Sequence, residues 1–320
     1  MCILMAEVPM VHNPISCPRV PATSLPNPPL TSETIRLQAR LSTFTTQTSG
    51  LASGKIQANL IVLPSEHARS FRLLCGRNPV PCPLLAESIA PGRYDSFKSY
   101  IPGVSDQELF TGTIDIRHDI PRYNVYKHGR LLDAGCTDIE KHWNEDSVAF
   151  LIGCSFSFEG ALAMVGLTPR HVQMGRNVPM YRSKIPLNAS GVFVGSTYVV
   201  SMRSYKRSEI ETVRAITRPF TVTHGEPIDW GWDAALRLGI HDIDVPDFGD
   251  APLAADGRKY GQVASHGHGE DEEIPVFWGC GVTPQEAIMR AGDKIDGLVM
   301  GHCPGHMLVM DVDEGRIRQL

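Results

Sequence analysis

The chain has 320 residues, 42% of them hydrophobic and 20% charged, proportions of a globular protein with a large core and room for two domains. A formal net charge of −5 with no basic stripe argues against nucleic acid as a partner. No apolar run reaches the length of a membrane span, which argues against a membrane partner too.

Residues 1–31 are rich in proline and poor in charge, the pattern of a disordered extension. Arginine is nearly absent there, which argues against a mitochondrial presequence but leaves that compartment open. The eight cysteines lie far apart, form no CxxC pair and follow no secretory signal. Reduced thiols in the cytoplasm are expected. Ser32 can cap a helix carrying Ile35, Leu37 and Leu41. Residues 58–63 read as a buried strand, and Pro64-Ser65 starts a helix with Ala68, Phe71 and Leu74 on one face. Pro79, Pro81 and Pro83 then stiffen a loop that aims Arg77 and Asn78, either as a structural corner or as a binding element. Asp115, Arg117, His118 and Asp119 read as a locally paired surface. Residues 123–126 and 130–132 flank Lys127-His128-Gly129 as a hairpin, and a short helix is expected near 138–143.

The chemistry concentrates in residues 147–186. Residues 148–152 form a continuous apolar run suited to a buried strand, which Gly153 ends. Phe158, Leu162 and Val165 then share one helix face, closed by Gly166. Cys154 and Ser155 therefore stand where a strand passes into a helix. Free backbone N–H groups there favour anions and lower a thiol's pKa; the plainer reading is a small buried cysteine. Arg176, Asn177, Tyr181 and Arg182 follow, a set that either grips a carboxylate or solvates a surface.

Beyond, residues 191–201 read as a strand with Met202-Arg203 at its end, and 208–217 as a helix stopped by Pro219. A strand over 220–223 ends at His224-Gly225. A short helix near 230–238 precedes an acidic loop over 241–250, and 257–273 reads as a flexible surface loop. Residues 275–278 form a strand, Gly279-Cys280-Gly281 a turn, and Thr283-Pro284-Gln285-Glu286 a capping box. The strand–glycine–cysteine–helix junction thus occurs twice. Strands over 298–302 and 307–312 complete the chain.

No dinucleotide, phosphate-loop or esterase-elbow motif occurs, so no cofactor is predicted. No metal site is predicted either, though a divalent ion stays open. Pro304-Gly305 keeps His302 and His306 off a common helix. His266 and His268 sit in a charge run, and Asp242, Asp244 and Asp247 lack the spacing of an EF-hand.

Ten segments in order, among them RNPVPCPLL, FLIGCSFSFE, NVPMYRS, VVSMR, HGEPI, DVPDFGD, VFWGCGVTPQ and CPGHM, carry a resemblance. From Gln57 to Asp311 the chain resembles the hydro-lyase family of bacteria and fungi, whose relatives include the D-glutamate cyclase domain of animal mitochondria. The resemblance implies a mixed α/β fold: a three-layer α/β/α core domain, here 32–112 with 205–320, and a smaller two-layer α/β domain inserted at 113–204. It also implies a carbon–oxygen lyase, and for the cyclase relative the closure of D-glutamate to 5-oxo-D-proline and water.

On this reading the substrate is a small carboxylic acid. Arg182 and Arg203 clamp its carboxylates, Asn177 and Tyr181 orient them, and Arg77, Asn78, Ser155, Gly281 and Thr283 complete the binding set. Backbone N–H groups over 154–156 and 280–282 take up developing negative charge. His306 is the first choice for proton transfer, His224 the second and Glu159 the third. Cys154 and Cys280 flank the cleft, and covalent attack by Cys154 ranks lower. Two other readings stay open: a hydro-lyase that forms an alkene from a hydroxy acid, and a non-catalytic module that binds carboxylates. A homo-oligomer is open as well.

Overall fold

The computed structural model describes residues 30–264, 269 and 271–318. Its first half runs α1 (Ser32–Arg40), β1 (Lys55–Pro64), α2 (Ser65–Arg77), β2 (Leu84–Ser88), β3 (Phe97–Ser99), β4 (Tyr123–Lys127), β5 (Arg130–Cys136) and β6 (Ser147–Gly153). Then come α3 (Glu159–Met164), α4 (Arg170–Gln173), β7 (Met180–Pro186), β8 (Thr197–Lys206), α5 (Ile210–Thr217), β9 (Asp229–Trp230) and α6 (Trp232–Leu238). The last elements are α7 (Tyr260–Ala264), β10 (Glu273–Gly279), α8 (Thr283–Ala291), β11 (Leu298–His302), β12 (Leu308–Asp313) and α9 (Glu314–Ile317). The protein is a mixed α/β fold.

Strand β1 is the axis of an eight-stranded sheet ordered β3-β2-β6-β1-β11-β4-β5, with β12 paired to β1 as well. It pairs antiparallel with β6 along one edge, and with β12 and then β11 along the other. Both its faces are covered, which is why its apolar run is continuous rather than alternating. Ile61 and Leu63 face a cluster with Phe71 and Leu74 of α2 and Ala287 and Ile288 of α8. Ala58, Leu60 and Val62 face the opposite cluster, where Phe158, Val213 and Trp278 pack. Trp278 belongs to the second sheet, four strands ordered β7-β8-β10-β9. That sheet buries Val200, Met202 and Phe277 against Ala234 and Leu238 of α6. Among the described residues no helix is long and apolar enough to cross a membrane.

The division at 113–204 cuts across both sheets. Strands β4, β5 and β6 fall inside that span yet belong to the larger sheet, whereas β9 and β10 fall outside it and belong to the smaller.

Local departures have local causes. Thr31, not Ser32, caps α1 by accepting from the Thr34 N–H. Leu37 and Leu41 point outward while Arg36 is buried, because its guanidinium bonds Asp311 at 2.7 Å and the Val309 carbonyl at 2.8 Å on β12. Val165 is exposed. Residues 221–223 form a 3-10 turn rather than a strand, and His224 follows in the left-handed region at φ 87°. The capping box does not form, because the Thr283 hydroxyl instead donates to the Val199 carbonyl and accepts from the Val199 N–H. Strand β8 begins at Thr197 and carries Arg203 in its interior. Helix α7 falls within the expected 257–273 loop; His266, His268 and the 1–29 extension lie outside the described residues.

The two glycine–cysteine junctions meet. The Asn59 amide donates to the carbonyls of Ile152 and Gly153, and a Cβ on Gly281 would lie 1.9 Å from that amide nitrogen and 2.9 Å from the Gly153 oxygen. Asn59 is buried and bonded, so it has nowhere to retreat. Gly281→Ala is expected to destabilise by about 1–3 kcal/mol, the usual effect of overpacking. A wild-type melting temperature for this variant would contradict the close approach.

Candidate active site

After β6 the chain is extended at Cys154, turns through a 3-10 segment over Ser155–Phe158 and enters α3, which is only six residues long. The junction is too short for a helix dipole to dominate, and burial decides the thiol chemistry instead. Desolvation pushes the Cys154 thiol far above its ordinary pKa and that of Cys280 up to about 11. Neither is a thiolate near neutrality, which removes the expected low-pKa cysteine. Both pack in an apolar cluster with Phe156, Met180, Val199 and Met307. The Cys154 N–H is already donated to the Gln57 carbonyl at 3.1 Å, so it does not await an oxyanion.

The centre of polar structure is Glu159, the first residue of α3. Its Oε1 accepts from Arg203 Nη2 at 2.6 Å and Nε at 3.1 Å, and His171 Nε2 lies 3.1 Å away. Its Oε2 accepts from the Ser49 hydroxyl at 3.4 Å. Arg203 also donates to the hydroxyls of Ser155 at 3.0 Å and Ser201 at 3.2 Å. Its guanidinium lies over the rings of Phe158 and Trp278. Burial alone would raise the Glu159 pKa; the charges of His171 and Arg203 outweigh it and hold the carboxyl at about 2. The His171 ring stacks on Phe156. One strand, two short helices and the loop at Ser49 thus converge on one carboxylate.

Cavities lie on both sides of this network. A narrow cleft of about 30 Å³, room for about one water, is lined by Arg170, His171, Arg176, Asn177, Arg203 and Asp250. Arg170 is tied to Glu273. Arg176 donates to the Ala251 carbonyl at 3.1 Å and has no carboxylate partner among the described residues. The buried Asn177 Oδ1 has no hydrogen-bond partner there. The second cavity, about 150 Å³, is bounded by the 50–55 loop, Gln57, Glu159, Gly160 and Glu314.

Several expected site residues are bonded within the fold and lie away from both cavities. Asn78 clasps the end of α2, donating to the Leu74 and Asn188 carbonyls and accepting from the Asn188 N–H, while Arg77 bonds the Ala189 carbonyl. The Tyr181 hydroxyl is buried against the Ile243 carbonyl at 2.6 Å. Arg182 is paired with Glu286 at 2.9 Å and Asp247 at 2.7 Å and lies over Phe248, so its charge is already balanced by two carboxylates of the fold. Thr283 ties the start of α8 to Val199 of β8, and Gly281 lies close against the Asn59 amide. His224 Nδ1 faces the Val80 carbonyl at 2.8 Å, and His306 Nδ1 the Pro304 carbonyl at 3.0 Å. Cys154, Cys280 and Met307, next to His306, share one packed cluster, with Arg182 over Phe248 at its edge. Neither cavity is lined by Cys154, Arg182, Cys280 or His306. Glu159, Ser155 and Arg203 are brought together as bonded partners, and Asn177 joins Arg203 at the cleft. Sequence reasoning passed over His171: it stands alone, with no periodicity or spacing linking it to Glu159. Among the described residues no group of three or more His, Cys, Asp or Glu side chains could hold a metal.

Burial lowers the pKa of His224 and of His302 to about 4. A histidine held neutral by the fold contributes stability that is complete above its unfolded pKa of about 6.5 and is lost as pH falls toward its folded value. The loss between about pH 6.5 and 4 is on the order of 3 kcal/mol for each. Urea midpoints should therefore drop over that interval; a midpoint independent of pH would contradict the burial.

A family model described as D-glutamate cyclase matches residues 148–311, which include Glu159, His171 and Arg203. A protein of Schizosaccharomyces pombe described as "Putative hydro-lyase" is 43% identical over 84% of this chain and 80% of its own. Proteins so described from Bordetella petrii and Staphylococcus haemolyticus are 42% and 40% identical, each over 89% of this chain and 95% and 96% of theirs. Among solved structures, a nitrogen repressor-like protein of Methanococcus jannaschii overlaps 86% of this chain and 93% of its own at 10% identity and a TM-score of 0.32, too slight a likeness to build on. The protein is an enzyme of the hydro-lyase class with a small-molecule substrate. The chain belongs to the D-glutamate cyclase family.

Proposed function

We propose that the enzyme closes D-glutamate on itself, forming 5-oxo-D-proline and water at the narrow cleft. The observation that carries this reading is the placing of His171, held against Glu159, in the same cleft as Arg176, a guanidinium with no carboxylate partner among the described residues. Arg176 takes a carboxylate of the substrate as a bidentate pair. In the reaction the amine nitrogen bonds to the side-chain carboxyl carbon and one carbon–oxygen bond of that carboxyl breaks. The ammonium gives up two protons and the departing oxygen gains two, so one group that exchanges protons in both directions suffices. His171 has that chemistry, and the Glu159 carboxylate orients its ring. Glu159 itself, ionised down to about pH 2, stays an orienting charge rather than a proton donor. With about 30 Å³ of free space, the cleft has to widen to receive the substrate.

The test is incubation with D- and L-glutamate followed by chiral chromatography. 5-Oxo-D-proline should accumulate well above the uncatalysed rate. An alkene absorbing in the near ultraviolet, formed from a hydroxy acid, would replace this reading with dehydration across a carbon–carbon bond. Saturable carboxylate binding without product would replace it with a binding module.

A further inference from the structure

The larger cavity, on the other side of Glu159, has a chemistry of its own. Two buried oxygens of its lining residues have no hydrogen-bond partner among the described residues: Gln57 Oε1 and Glu314 Oε2. Gln57 is 2% exposed and Glu314 8%. The Gln57 amide nitrogen donates to the carbonyls of Thr48 at 3.0 Å and Leu51 at 3.3 Å, so the unpaired atom is the acceptor. Among the described residues the other Glu314 oxygen has only Arg318, 3.8 Å away. Glu159 Oε2, with Ser49 at 3.4 Å, is a third acceptor on the same wall. The wall's lysine, Lys55, is already engaged by Asp313 at 2.7 Å and the Asp311 carbonyl at 3.0 Å. A buried acceptor left unpaired costs about 1–3 kcal/mol, and two on one wall call for a ligand rich in donors. An ammonium group offers three donors and a positive charge. An apolar cavity of about 150 Å³ takes up benzene, so there is space here for a ligand of about six heavy atoms.

We propose that this cavity is a binding site for a small primary ammonium ligand, received by Gln57 Oε1 and the Glu314 carboxylate. This inference goes beyond the cyclase reading and stands without it. Burial raises the Glu314 pKa, against the opposing effect of Arg318 and with the help of Asp313. Glu159 and Lys55 are the other charged groups on the wall. A cation entering the cavity draws the proton off Glu314, so binding tightens as pH rises through the pKa of that carboxyl.

The test uses the full chain and n-propylammonium chloride as the probe, with propionate and 1-propanol as controls, followed by calorimetry and thermal melting. Saturable binding and a raised melting temperature are expected for the ammonium alone. Gly160→Val directs its side chain toward Ser53 and Glu314 and should abolish binding. Glu314→Gln, which keeps the shape, should weaken it tenfold or more. Equal binding by wild type and Glu314→Gln, binding of propionate as tight as that of the ammonium, or no binding at all would overturn the proposal. D-glutamate turnover in the presence of the probe separates the two sources of the ammonium. Competition assigns the cavity to the substrate's own amine, and binding without inhibition assigns it to a separate amine. Absence of turnover on D-glutamate would count against the cyclase reading alone, since the binding measurements do not depend on it.

Discussion

His171→Gln is expected to lower kcat by roughly 10²–10⁴-fold with little change in KM, the range general acid–base catalysis supplies. Glutamine can still donate to Glu159, so the Arg203–Glu159 pair and the turn at Ser155 keep their places. It has no ionisation near neutrality, so it cannot accept and return a proton. The circular dichroism spectrum and melting temperature should stay close to the wild type. A kcat within threefold of the wild type would remove His171 from the proton path. By contrast, His306→Gln should leave more activity than His171→Gln, because His306 is turned toward the Pro304 carbonyl and is absent from both cavity walls.

Glu159→Ala should be the most damaging single change. The side chains of Arg203 and Glu159 are 0% and 5% exposed, so removing the carboxylate leaves a guanidinium buried without a counter-charge. Breaking such a pair costs about 3–5 kcal/mol, read as a fall in the urea midpoint, and it also frees the His171 ring. A paired replacement separates the two roles. Glu159→Leu with Arg203→Met should recover much of the stability, because well-packed apolar residues often replace a buried ion pair without loss. It should recover no turnover. Wild-type stability in Glu159→Ala would mean that solvent reaches Arg203, against the burial described.

The contrast between what was legible in the sequence and what was not follows the range of the interactions. Continuous apolar runs identified β1 and β6, and the period of Ala68, Phe71 and Leu74 identified α2, because burial on one or two faces leaves a local trace. The pairing of β1 with β11 and β12, some 240 residues onward in the chain, leaves none. The site shows the same split. Ser155, Glu159, Asn177 and Arg203 were all singled out, but as independent partners of a substrate. Arg203 and Glu159 instead neutralise each other across 44 positions, and Arg182 is held by Asp247 and Glu286 across 65 and 104. An arginine's partner is a tertiary fact. At the cysteines two effects compete: the junction favours a lowered thiol pKa, and desolvation reverses the sign, which leaves the plainer reading of small buried cysteines.

A crystal structure of the enzyme with 5-oxo-D-proline bound tests the placement of the chemistry most directly. The product's carboxylate should lie about 2.7–3.2 Å from the Arg176 guanidinium, hydrogen-bonding distance, with the lactam carbonyl facing His171. Product seated against Cys154, Cys280 and His306, with Arg176 and His171 untouched, would contradict the account.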